Sequence, residues 1–94
     1  MEVYFTLICN NRREFLDPGK VHEGGNKFSP CVQGKTANLL AFLVMGLWMN
    51  QPIQFLPDTG EPLPDDYRDI TEETIRDYNE AFRSAEPIAF NPNG

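Results

Sequence analysis

The stretch "SPCVQGKTANLL" (residues 29–40) holds the residue types closest to a known chemistry. Gly34-Lys35-Thr36 followed by leucines resembles the end of a phosphate-binding loop, in which backbone N–H groups and a lysine cradle phosphate oxygens. The full loop needs a glycine five positions before Gly34, where this chain has Ser29, followed by Pro30. It also needs a buried strand leading in, and "GGNKF" is not one. A nucleotide hydrolase further needs a magnesium-holding acid at the end of another buried strand. Asp58, behind Pro57 in a turn, does not supply it. Nucleotide hydrolysis is therefore not expected. What survives is a simple anion site: the start of a helix at Thr36, with Gly34, Lys35 and, from the preceding loop, Lys20 and Lys27.

Other reactive residues are sparse. Cys9, His22 and Cys31 are the only soft metal ligands and form no closely spaced pair, so no metal site is expected. The same cysteines with one loop histidine make a weak nucleophile–base set. Asp65-Asp66 and Glu72-Glu73 are paired carboxylates, but a loop and a helix's first turn each account for them. The reading is non-enzymatic and without a cofactor.

Charge is more informative. Residues 1–50 carry five Lys/Arg against four Asp/Glu, while residues 51–94 carry three against ten, for a net charge of −6. No concentrated basic face exists to meet nucleic acid. An acidic half instead suits solubility or docking on a basic protein surface. Asp65, Asp66, Asp69, Glu72 and Glu73, clustered within nine residues, are the candidate docking face, with Trp48 as an aromatic contact. The start, "MEVYFTLIC", lacks a basic leader region, and the longest apolar run (37–49) is too short to span a bilayer. These features indicate a cytoplasmic protein with no membrane partner and with reduced thiols.

The elements that must position these residues are legible from patterning. At 94 residues the chain is read as a single domain, 1–94. "VYFTLIC" predicts a strand, Asn10-Asn11 a two-residue turn, and residues 12–16 a returning strand that pairs Cys9 with Arg12 and Leu7 with Glu14. Both faces of the first strand are apolar, which places it inside the sheet. A central helix starts at Ser29-Pro30 or at Thr36 and ends near Asn50, ahead of Pro52. From Leu39 to Met49 it is apolar on nearly every side, so either the core surrounds it or a partner chain caps it. Ile53 to Leu56 predicts an edge strand. Thr71 predicts the N-cap of a last helix bearing a stripe of Ile75, Tyr78 and Phe82, and "PIAF" near the end adds a strand or lies along the surface. The expected fold is α+β, ordered ββαβα: a small antiparallel sheet, made of an N-terminal hairpin and a short third strand, packed with two helices.

The function expected is that of a small acidic binding or regulatory protein that self-associates and masks or modulates a protein partner. In size and charge it is similar to small inhibitors and phage-type accessory proteins. The alternative is a binder of a small anionic ligand, such as a nucleotide, at the glycine loop and the start of the central helix.

Overall fold

The computed structural model describes residues 3–22 and 34–92. The expected helix start at Ser29-Pro30, the Gly24-Gly25 loop, Lys27 and Cys31 lie outside the described residues.

β1 (Phe5–Cys9) and β2 (Glu14–Leu16) form the antiparallel hairpin that the apolar alternation predicts. The register differs from expectation. Cys9 lies opposite Glu14, Ile8 opposite Phe15 and Leu7 opposite Leu16, so residues 10–13 make a four-residue loop. Arg13 closes it at φ 52°, its N–H donating to the Asn10 carbonyl at 3.3 Å. The slip of two residues keeps every side chain on its expected face. It sets two leucines opposite each other in the core and moves Glu14 to the end of the ladder.

β3 (Gln54–Pro57) pairs antiparallel with β1 on its other side, and β4 (Arg68–Asp69) pairs in parallel with β2. The sheet is mixed, in the order β3-β1-β2-β4, with β1 inside and β3 at an edge. β4 escapes a pattern reading because two residues carry no alternation.

α1 (Gly34–Met45) starts from Gly34 at φ 68°, a left-handed conformation that glycine adopts without strain. It ends five residues before Asn50. Gly46 opens a run of turns in which the Trp48 N–H returns to the Leu43 carbonyl at 2.7 Å and Asn50 takes φ 61°. This reversal carries the Trp48 side chain into the interior.

α2 (Thr71–Ala81) begins one residue earlier than a Thr71 cap would give; its N-cap is Ile70, which makes no side-chain cap bond. Asp69 acts instead, accepting from the Thr71 backbone N–H at 2.9 Å and from its hydroxyl at 2.6 Å. The Thr71 hydroxyl in turn accepts from the Asp17 N–H at 2.8 Å, tying α2 to the end of β2. A short 3-10 turn, Pro18–Lys20, follows, capped by the Asp17 side chain. The tail returns to it: Val21 bridges Phe90, and the Asn79 side chain holds both backbone groups of Ile88 at 2.8 Å.

Leu7, Cys9 and Leu16 from the sheet meet Leu39 and Leu43 of α1, Trp48, and Ile70 and Ile75 at the start of α2 in one core. The fold is thus α+β with elements in the order expected and a fourth short strand added. Among the described residues no helix is long and apolar enough to cross a membrane.

Candidate functional site

Among the described residues the one buried carboxylate is Glu14, on the core face of β2. Its Oε1 accepts from the Arg12 Nε at 2.8 Å and from the Trp48 indole N–H at 3.0 Å, and its Oε2 accepts from an Arg68 nitrogen at 3.1 Å. Burial alone pushes such a group up; the donors from Arg12, Trp48 and Arg68 outweigh it and hold Glu14 below the usual carboxylate range. A carboxylate with three partners already in place serves the fold. It joins the hairpin to the turn after α1 and, through Arg68, to β4. Arg68 also pairs with Glu73 in the first turn of α2.

Trp48 is therefore not a docking side chain. It is completely buried by core packing, and its indole N–H is satisfied there by the Glu14 carboxylate. The rest of the expected acidic face is divided by the fold. Asp65, Asp66 and Glu72 are exposed. Asp69 is half-buried, paired with Lys20 at 2.7 Å while it caps α2. Burial raises it, but the bonds from Lys20 and Thr71 leave it lowered overall; the same bond raises Lys20. Asp66 faces Arg13 and Glu73 faces Arg68.

The described members of the expected anion set are not all presented at the surface. Thr36 is fully buried, since its helical position points inward beside Leu39. The Lys20 ammonium is turned to Asp69. Gly34 is exposed and Lys35 half-buried at the start of α1, and Lys27 lies outside the described residues. Cys9 is a free, buried thiol and His22 an exposed residue at the return of the tail. Among the described residues no group of three His, Cys, Asp or Glu is placed to hold a metal ion.

What the sequence reading missed lies between the helices. The hollows flanking Phe42 show that α1 and α2 run in opposite directions, with the end of α1 against the start of α2. Phe42 packs edge-on against Tyr78 at 5.8 Å and Phe82 at 5.9 Å. Phe82 does not lie on the sheet, as its place in a stripe predicted; it is 44% exposed at the end of α2. One hollow of about 230 Å³ is lined by Phe42, Leu43, Gly46 and Leu47 on one wall and Glu73, Thr74 and Asp77 on the other. A second, of about 180 Å³, lies beside Ala41, Met45, Tyr78 and Phe82. Leu47 lines the first and Met45 the second, and both are exposed, as are Val44 and Met49. The signal for this surface was present in the all-round apolar character of residues 39–49, but which side stays open depends on where the sheet lies.

No protein-family model, curated protein or solved structure matches the chain.

Proposed function

We propose that the chain is a small non-enzymatic binding protein that masks or modulates a basic protein partner through its acidic exterior. The observation behind this reading is the distribution of its ion pairs. All five arginines, together with Lys20, already face carboxylates of the chain itself. Among the described residues, Glu61, Asp65, Glu72 and Glu86 are exposed and in no ion pair. The surplus of acid is thus external, where it steers a basic partner into contact and is screened by salt.

Affinity capture on the immobilised chain from its native host extract tests this. The expected result is a basic protein retained at low salt and released as salt rises. Its association should slow when Asp65 and Asp66 are both reversed to lysine. A chain that retains no protein, or one whose capture ignores that double reversal, removes the reading.

A further inference from the structure

β3 and β4 occupy opposite edges of the sheet, and residues 58–67 join them. The two joined ends also lie at opposite ends of the strands. Pro57 pairs with Phe5 at the start of β1, whereas Arg68 pairs with Glu14, which faces Cys9 at the end of β1. The segment therefore runs between opposite corners of the sheet. It spans three strand spacings one way and four residues the other, a diagonal of about 20 Å.

The face it crosses follows from its last residues. Leu7, Cys9 and Leu16 point to the side where α1 and α2 pack. Ile8 alternates to the other side, where Gln54 stands opposite it. Tyr67 donates its hydroxyl to the Asn10 side chain at 2.6 Å, and the Asn10 amide donates to Gln54 at 3.3 Å. Tyr67 thus lies on the outer face, beside Ile8. Ile8 is only 4% exposed although it stands outside the core cluster. Within 58–67 every residue is exposed except Leu63 and Tyr67.

We infer that residues 59–67 are a strap over the outer face of the sheet, hinged at Asp58 and Arg68, that lifts while the core stays folded and so uncovers Ile8.

The bonding is uneven along the segment in the way such a strap requires. At one hinge the Asp58 N–H donates to the Tyr4 carbonyl at 2.9 Å. At the other the Arg68 N–H donates to the Arg13 carbonyl at 2.9 Å, and its side chain is held by Glu14 and Glu73. The clasps are weaker. They are the Asp66–Arg13 ion pair and the Tyr67–Asn10 bond, both exposed to water, where such contacts contribute little. Between hinge and clasp, Glu61, Leu63 and Asp65 make no hydrogen bond among the described residues. Pro62 and Pro64 have no N–H to give. A segment with few backbone bonds and two half-buried apolar side chains opens at a lower free energy than the core beneath it. The strap lifts with or without a partner, so the inference stands apart from the masking reading.

Ile8→Cys tests this by placing a thiol under the strap, next to Cys9, whose thiol is buried on the core side. Labelling of the folded chain with a water-soluble thiol reagent, read residue by residue by mass spectrometry, compares neighbours on opposite faces of one strand. Position 8 should react at least about tenfold faster than Cys9, and well below the rate of a free thiol. Tyr67→Phe keeps the ring and loses the bond to Asn10. It should speed labelling at position 8 about fivefold and leave Cys9 unchanged. Equal rates at positions 8 and 9, labelling of position 8 as fast as a free thiol, or no response to Tyr67→Phe overturns the proposal. Amide exchange of the unaltered chain is the independent check. The Tyr67 N–H, bonded to Pro64 inside the strap, should exchange at least about tenfold faster than the Trp48 N–H, bonded to Leu43. Equal protection of the two would show that the strap moves only when the core unfolds.

Discussion

At the residue scale, Glu14 decides more than any other side chain. It links the hairpin to Trp48 and to Arg68, and replacing the carboxylate by an amide leaves one acceptor oxygen for three donors. Glu14→Gln should cost about 2 kcal/mol at neutral pH, the scale of hydrogen bonds to a charged group, since the Arg12 and Arg68 side chains stay open to solvent. Its pH dependence follows from the lowered folded pKa. A lowered group contributes stability that is fully present above its unfolded value, about 4.3 for Glu. That contribution is lost as pH falls through the folded value. Urea titrations between pH 7 and pH 3, followed by the emission of Trp48, the only tryptophan, give the curve. The unaltered chain should lose stability below about pH 4.3. Glu14→Gln should start lower and fall less steeply, the remaining slope belonging to Asp69. Parallel curves for the two proteins would show that Glu14 does not carry the acid sensitivity.

At the element scale, Asp69 ends β4 and starts α2. It accepts both donors of Thr71 and holds Lys20, so one side chain fixes a strand end, a helix start and the 3-10 turn. Asp69→Ala should destabilise by about 1–2 kcal/mol, the range for losing a helix cap. Thr71→Val keeps the Asp69–Lys20 pair and the backbone cap bond. It loses the hydroxyl bonds to Asp17 and Asp69. Denaturant midpoints compare the two, with an unchanged slope showing that compactness is preserved. An Asp69→Ala midpoint equal to that of the unaltered chain would mean that the helix start is held by Ile70 packing alone.

At the scale of the whole molecule, charge and apolar exposure combine. The sequence-based expectation of self-association came from an apolar helix that one small sheet does not cover, and four exposed apolar residues do follow one another closely from Val44 to Met49. Glu73 and Asp77 in the hollow beside them already face Arg68 and Arg76, so no unpaired charge there repels a second copy. At micromolar concentration light scattering should therefore give about twice the monomer mass of 10.7 kDa. The monomer mass alone would remove self-association.

The sequence by itself determined the α+β class, the apolar strand inside the sheet, the edge strand before Pro57 and the acidic second half. Each rests on local pattern: alternation, proline placement and charge count. It did not determine the hairpin register, because the choice between two and four loop residues turns on pairing Leu7 with Leu16 in a core that only the folded chain has. Nor did it decide the fate of Trp48, Thr36 and Asp69. An indole, a hydroxyl and a carboxylate read alike as surface or interior groups until the fold places them, and the partners of Trp48 and Asp69 lie 34 and 49 residues away. The open side of α1 was undecided for the same reason: a helix apolar all round carries no stripe to say which face the sheet will take, and the hollows lie wherever the sheet does not reach.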